Sequence, residues 1–425
     1  MRARGRFLAR ATALAACVLA ASAAPAAAQD DAWVQRALGL QYELGGDLGF
    51  RDAPWVGTHN SFNSVAEMGP TLSAQDGNQR ISLRDQLDQG MRSIELDLHW
   101  FARPGSAGLD VVVCHARARE EGHAGCTTEK TLAEVLDETI VPWLRDNPDQ
   151  VLMLYLEDDM DETAGYERAG AILEEKLGSF LYRPEPPAGG CQELPLDLSR
   201  DEIRAQGTQA FVVTDCGDAA AWQASVFTWE EHEESQPTDF TDFPDCGSEF
   251  TPEQYRSTLV RYYEDSTRLS AGAGIAKDRI TAETAAQMAR CGVDLIHFDQ
   301  LQIGDPRLAG VIWSWAPDQP AAGRCSVQRV GGSVPFGRWR STDCVGRRRA
   351  ACLKPNGRWK LTPRIAFDRA GRRCGRGGAE FSVPRTGFEA QRLRLAMERA
   401  ETRGAWLGQS RQGSAWEPLD SRASG

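Results

Sequence analysis

No two cysteines in this chain are separated by only two residues, and histidine occurs just six times in 425 positions. The first absence removes the paired-thiolate frame of zinc ribbons and dithiol redox sites, so the cysteines read as disulfide partners. The second makes each histidine worth placing individually. Beyond residue 28 no window approaches the roughly 20 uninterrupted apolar residues of a membrane-spanning helix. No internal repeat or low-complexity tract follows that point either.

What is present begins with a leader. "MRARGRFLAR" is basic, "ATALAACVLAASAA" is apolar, and "APAAA" offers a small-residue cleavage site before Gln29. Residues 1–28 therefore read as a secretory signal peptide, too short and wrongly flanked for an anchor. The mature protein is expected to be exported, extracellular or periplasmic, and soluble. Losing Arg2, Arg4, Arg6, Arg10 and Cys17 moves the formal net charge from −12 to −16 and leaves ten cysteines. An even number in an exported chain implies disulfides. Candidates are Cys114, Cys126, Cys191, Cys216, Cys246, Cys291, Cys325, Cys344, Cys352 and Cys374, with the pairing left open.

About 400 mature residues suit one large domain and a smaller one. Short apolar runs alternate with helical patterns up to about residue 316. Strands are expected at 55–59, 92–100, 110–115, 150–158, 209–215, 225–229, 293–300 and 310–316. Helices are expected in "SLRDQLDQG", capped by Ser82 and stopped by Gly90, in "TLAEVLDETIVPWLRDNP", and in "TAETAAQMARCG", capped by Thr281 and stopped by Gly292. Near-continuous apolar strands separated by helices imply a parallel sheet covered on both faces. Eight of them in about 260 residues imply an α/β fold, a TIM (β/α)8 barrel. After "WSWAPDQPAAG" the alternation stops. A boundary near residue 318 leaves a catalytic barrel at 29–318 and a small disulfide-containing C-terminal domain at 319–425. Residues 321–380 hold 13 Arg and 2 Lys against Asp343, Asp368 and Glu380, a net +12 on an otherwise acidic chain. That balance suits either contact with an anionic, peripheral membrane surface or a merely soluble Arg-rich module.

Active sites of such barrels lie at the carboxyl ends of the strands. Here the first strand ends in His59-Asn60, and the second carries Glu95, Asp97 and His99 on one face. The third ends in His115 and the fourth in Glu157, while later strands offer Asp215, His297 and Asp299. Three carboxylates and a carboxamide oxygen gathered together repel one another unless a cation sits between them. Hard oxygen donors favour Ca²⁺ or Mg²⁺ over zinc, and the irregular shell favours Ca²⁺. Two imidazoles beside such an ion suit phosphodiester cleavage, one taking a proton and the other giving one. Singly, each residue has a duller reading as a structural histidine or a solvated charge run. Jointly, charged groups at the ends of four consecutive buried strands are hard to explain that way. His123 and His232 lack such a setting and read as loop residues.

"GTHNSFN", "GMRSIELDLHW", "VVVCH" and "VLMLYLED" resemble, in order and spacing, the catalytic region of phosphoinositide-specific phospholipase C, and more narrowly its secreted bacterial calcium-dependent branch. The resemblance covers about residues 50–316. It implies a distorted TIM barrel of the PLC-like phosphodiesterase type, cleaving phosphatidylinositol through a cyclic inositol phosphate. His59 and His115 match the catalytic histidines. Asn60, Glu95, Asp97 and Glu157 match the Ca²⁺ ligands, with Glu95 also assisting deprotonation. The metal-free members have His-Asp and an arginine where this chain has Asn60 and His99, which argues for metal. His99, Arg92 and Asp299 are the candidates for contacting substrate. The lysines that hold phosphorylated headgroups in eukaryotic members are absent, and the fifth strand ends in Asp215. Plain phosphatidylinositol or another phosphodiester is therefore expected, with no nucleic-acid partner. "WRSTDCVGRRRAACLK" and "AWLGQSRQGSAWEP" resemble pieces of C-type lectin-like domains in inverted order. Two other functions compete: a glycerophosphodiester phosphodiesterase, whose His-Arg-Gly and Pro-Glu-Asn motifs are missing here, and a non-catalytic secreted lipid- or glycan-binding protein.

Overall fold

The computed structural model describes residues 31–68, 77–115, 126, 129–185, 189–228, 233–235, 260–265, 280–293, 295–331 and 337–419. The expected leader, His123, His232 and Cys246 lie outside them. Strand propensity and burial place ten strands in the first sheet. They are β1 (Trp55–Thr58), β2 (Ser93–Phe101), β3 (Asp110–Val113), β4 (Leu152–Asp159), β5 (Gln192–Glu193), β6 (Ala210–Thr214), β7 (Phe227–Thr228), β8 (Glu233–Ser235), β9 (Val260–Glu264) and β10 (Leu295–Phe298). Their order is β5-β7-β6-β4-β2-β1-β10-β9-β8, with β3 paired to β2. Every pair on that path is parallel. The fold is thus α/β with a curled parallel sheet. Among the described residues its end strands, β5 and β8, do not pair with each other.

Both faces of the sheet are covered, which is why the strands read as continuous apolar runs. Ile94, Leu96, Leu154, Val212 and Ile296 pack with Leu38, Leu87, Trp143, Ile172 and Met288 of the surrounding helices. Trp55, Met153, Phe211, Val213 and Leu295 fill the inside of the curl. Local signals behave as expected. Ser82 caps the helix Leu83–Asp88 by accepting from the Asp85 amide, and Thr281 caps Ala282–Cys291, which ends on left-handed Gly292.

Three expectations are corrected. β3 is antiparallel to β2, because only a short turn separates them and a parallel return needs a long crossover. The run 310–316 is not a strand. Asp305 caps a helix at Pro306–Gly310. Beyond it the Trp313 and Ser314 amides donate to the Gln41 carboxamide oxygen, at 2.9 and 3.3 Å, where a ladder partner would otherwise be needed. The segment is apolar because Trp313 and Trp315 bury against Trp339, at 5.5 and 5.8 Å between ring centroids. Finally, β5, β8 and β9 have no counterparts among the expected strands.

A second sheet is built from β11 (Cys325–Arg329), β12 (Trp339–Thr342), β13 (Arg349–Leu353), β14 (Trp359–Leu361), β15 (Glu380–Phe381), β16 (Gly404–Gln412) and β17 (Ala415–Pro418), in the core order β12-β11-β16-β13-β14. Disulfides join Cys114–Cys126, Cys191–Cys216, Cys325–Cys344 and Cys352–Cys374. Cys291 is also disulfide-bonded. No helix among the described residues is long and apolar enough to cross a membrane.

The helix Gly387–Arg399 lies on Ala282–Cys291, and Gly387 permits the closest approach. A Cβ there would overlap the Ala289 carbonyl and press on Trp313. Gly387→Val should therefore lower the urea midpoint, corresponding to a loss of about 1–3 kcal/mol in unfolding free energy, the usual range for overpacking. Gly375→Ala, whose new methyl group meets nothing within 4 Å, should leave it unchanged or slightly raised. Equal midpoints for the two variants would contradict this packing.

Candidate active site

Alternate positions along the strands face the inside of the curl, and their chemistry changes with height. The lower layer is apolar. The upper one holds His59, Glu95, Asp97, Glu157, Glu264 and Asp299. Asn60, directly after His59, sits at φ 45°, a left-handed conformation that asparagine tolerates better than most residues. Gly57 makes room for the layer: a Cβ there would overlap the Ser93 carbonyl and the His297 ring. Gln79 holds the turn by donating to the His59 and Phe298 carbonyls at 2.6 and 2.8 Å.

His59 is 6 % exposed. Its Nδ1 lies 3.0 Å from both the Asp265 carbonyl oxygen and Asp299 Oδ1. Both are acceptors, so Nδ1 carries a proton and Nε2 is the nitrogen turned toward the acids of the rim. Nε2 stands 3.2 Å from Glu264 Oε1 and 3.9 Å from Glu95 Oε1. Burial alone would push the His59 pKa down, but Glu95, Glu264 and Asp299 outweigh it and hold the imidazole well above its ordinary value.

Glu95, Asp97 and Glu157 each present an oxygen within 4.8 Å of the others. Burial is the main reason that all three carboxyls are raised. The next cause is Glu264 for Glu95, Glu157 for Asp97, and Asp159 for Glu157. The Asn60 carboxamide faces both Asp97 oxygens at 2.6 and 2.7 Å and His59 Nε2 at 2.8 Å. With its nitrogen toward Asp97 it donates to the carboxylate. With its oxygen there, the oxygens of Asn60, Asp97 and the neighbouring acids crowd together, an arrangement that protonation or a cation would relieve. The donor set is hard and anionic and fits a divalent ion such as Ca²⁺.

His115 reaches the site by the reversal of β3 rather than from the end of a parallel strand. Its Nδ1 accepts from Asn63 Nδ2 at 3.2 Å, and Asn63 also donates to Asn78 Oδ1 at 2.7 Å. Asn78 in turn donates to Asp299 Oδ1 at 3.2 Å. This chain of carboxamides links His115 to the group that holds His59.

Of the three substrate-contact candidates, Arg92 and His99 lie away from the acidic cluster, and Asp299 sits behind His59. Arg92 is at the amino end of β2, where it donates to Gln150, Leu87 and Met91 and stacks 4.7 Å over Trp143. His99 is fully buried beside the Cys114–Cys126 disulfide, its Nε2 3.5 Å from Asp159. Those sulfurs are oxidised and form no metal site with it. Asp299 is fully buried behind His59 and orients it, and burial raises its carboxyl to about 7.

Glu264, Ser93 and Arg307 at the site were not foreseen, whereas His297 was named at a strand end. Glu264 ends β9. Ser93 lies 2.8 Å from His297 Nε2, while Nδ1 of the same ring meets Glu95 at 3.0 Å. Burial and the His59 charge lower His297 to about 3, so it is a neutral donor to Glu95. Arg307 pairs with Asp265 and Asp305 at 3.0 and 2.7 Å and donates to the Asp299 carbonyl at 2.7 Å. Only position could have revealed these residues: Glu264-Asp265 closes an apolar-aromatic run that lies next to poorly patterned sequence.

Residues 13–305 match the family model described as the Rv2075c PI-PLC-like domain. The chain belongs to that PI-PLC-like family. Two Mycobacterium tuberculosis relatives, the uncharacterized proteins MT2135 (strain CDC 1551 / Oshkosh) and Rv2075c (strain ATCC 25618 / H37Rv), are each 39% identical over 396 residues, covering 88% of this chain and 79% of their own. Among solved structures, the phosphatidylinositol-specific phospholipase C from Listeria monocytogenes overlays with TM-score 0.42 at 13% identity, covering 65% of this chain and 97% of that one. A calcium-dependent phosphoinositol-specific phospholipase C from Pseudomonas sp overlays with TM-score 0.33 at 13% identity, covering 64% and 95%.

Beside the site, Asp158 accepts from Tyr166 at 2.6 Å and Thr214 at 3.3 Å. Burial, with the Asp215 charge adding to it, outweighs these bonds and raises its carboxyl from 3.8 to about 7. The native state therefore keeps a proton that the unfolded chain releases, and stability falls as pH rises from about 4 to about 7. Asp158→Asn should flatten that part of the melting-temperature profile, measured by calorimetry in chelator. Identical slopes for variant and wild type would rule out a raised Asp158.

Proposed function

We propose that the protein is a secreted, calcium-dependent phosphodiesterase that cleaves phosphatidylinositol in the manner of a phospholipase C. One observation carries this reading: both nitrogens of His59 are committed at a rim where Asn60, Glu95, Asp97 and Glu157 also converge, with His115 tied to the same network. Membership of a PI-PLC-like family supports the reaction class, and the disulfides suit an exported chain. The reading includes a (β/α)8 barrel opened along the β5–β8 seam, since the strands follow chain order around the curl apart from β3 and β5. It also includes a leader at 1–28 and a division near residue 318 into a catalytic unit and a Cys/Arg-rich, lectin-like module.

Asn60, Glu95, Asp97 and Glu157 would hold Ca²⁺. When bound, the ion supplies positive charge that lets the carboxylates ionise together, and it lowers the pKa of a hydroxyl in its shell. His59, its Nδ1–H fixed by Asp299 and the Asp265 carbonyl, takes the proton of the inositol 2-hydroxyl at Nε2, with Glu95 assisting. The inositol oxygen bonds to phosphorus, and the phosphorus–glycerol oxygen bond breaks. His115 gives its proton to that leaving oxygen, forming diacylglycerol and a cyclic phosphate. In the second half the roles reverse, with water as the nucleophile. Asp299 positions, and Glu264 keeps the imidazole of His59 charged until the acids around it are neutralised. Among the described residues the same rim carries no lysine for extra phosphates, so an unphosphorylated inositol headgroup fits best.

His59→Ala and His115→Ala should each cut turnover by roughly 100- to 10,000-fold, with calcium binding by calorimetry retained. Asn60→Asp should shift calcium affinity. Phosphorus NMR of the products decides the substrate class: a cyclic inositol phosphate supports the proposal, whereas glycerol 3-phosphate from a glycerophosphodiester would replace it. Near-normal turnover in either histidine variant would overturn the proton-transfer scheme.

A further inference from the structure

The Arg-rich second sheet holds a concave site that the rim chemistry does not use. β14 and the helix Ala370–Gly375 flank a cleft of about 240 Å³. The Cys352–Cys374 disulfide and buried Thr362 line it, and Lys360, Arg373 and Arg376 stand around it. No acidic residue does. Among the described residues none of these three cations makes an ion pair or a hydrogen bond to another group.

Like charges around one concavity repel, and that cost persists unless an anion offsets it. An Arg-rich surface serving solubility alone would intersperse acids among the cations. The hydroxyl of Thr362 already donates to the Pro363 carbonyl at 2.7 Å and accepts from the Ala350 amide at 2.9 Å. The cleft therefore reads charge more than the pattern of neutral groups. Its walls are pre-set, because the disulfide ties β13 to the helix, which limits the ordering cost of binding. More positive charge borders it. Arg349 donates to the Thr362 carbonyl at 3.2 Å, and Arg347 donates to that of Arg364 at 3.2 and 3.3 Å. Two residues before Arg347, Val345 is 81% exposed. An exposed apolar side chain beside clustered cations is the composition of a contact with an anionic lipid surface.

We propose that this cleft binds a phosphate group, the chemistry shared by an anionic phospholipid headgroup and free phosphate. The inference is independent of the reaction proposed for the rim. Full-length protein is sedimented in chelator with phosphatidylcholine vesicles, with and without phosphatidylglycerol, and inorganic phosphate is titrated calorimetrically. Wild type should bind the phosphatidylglycerol vesicles, weakening as salt rises. The Lys360→Ala/Arg373→Ala/Arg376→Ala variant should lose roughly 100-fold in affinity at an unchanged melting temperature. Should the triple variant fold poorly, Arg373→Gln alone should cost about fivefold. Vesicle binding without phosphate binding assigns the lipid headgroup. Phosphate binding that ignores vesicles and is lost in the variant assigns the free ion. The proposal is overturned if wild type binds neither probe, or if the variants bind both as wild type does.

Discussion

Glu95 and Asp97, both buried, are brought to one end of a curled sheet together with partly buried Glu264 and the more exposed Glu157, and most other features of the site follow from managing that repulsion. A buried carboxylate is costly unless it is paired or hydrogen-bonded. Four acids within reach of one imidazole can be reconciled only by protons, by a cation, or by the imidazolium itself. His59 supplies one positive charge, which is why its pKa rises although burial pushes the other way. The remaining demand shows as raised carboxyls across the cluster. A fold that maintains such crowding gives up stability at this point, as functional sites commonly do.

The support behind His59 shows where that stability is recovered in precision. Arg307 is held between Asp265 and Asp305 and also binds the Asp299 main chain. It therefore fixes both groups that face His59 Nδ1: the Asp265 carbonyl and the Asp299 carboxyl. Buried ion pairs of this kind add little net stability over an apolar replacement, but losing one partner is expensive. Here the network sets the tautomer of the imidazole, which an apolar core could not do. His297 plays the corresponding part for Glu95.

The strand ends were legible because side-chain alternation in β2 puts Glu95, Asp97 and His99 on one face whatever the partner strands are. His59, Asn60 and Glu157 followed from the same rule. The path of His115 was not legible. The run 110–115 has the composition of any buried strand, and direction depends on the turn before it. The residues 310–316 misled for a related reason: alternating tryptophans report burial, and the backbone is satisfied by Gln41 and a single bridge to Trp339 rather than by a ladder. Glu264 was missed because β9 is a five-residue strand between poorly patterned stretches, where periodicity has too few positions to act on. Arg92 and His99 were attractive as polar residues of β2. Arg92 lies at the amino end of β2, engaged with Gln150 and the Leu87 and Met91 carbonyls, and His99 is fully buried, so neither is open to a ligand at the rim.

The tryptophan run also determines how the two sheets relate. Trp313 and Trp315 leave the first sheet's last helix and enter a buried cluster with Trp339, Leu393, Met397, Leu407 and Trp416. Leu44 and Ala289 join it from the other side. Units tethered only by a linker move independently by default, and a shared apolar core removes that freedom. The Arg338 guanidinium reinforces the junction by donating to the Ala309 and Ile312 carbonyls. The second sheet consequently keeps one orientation relative to the first, because reorienting it would expose the same tryptophans that made 310–316 look like a strand.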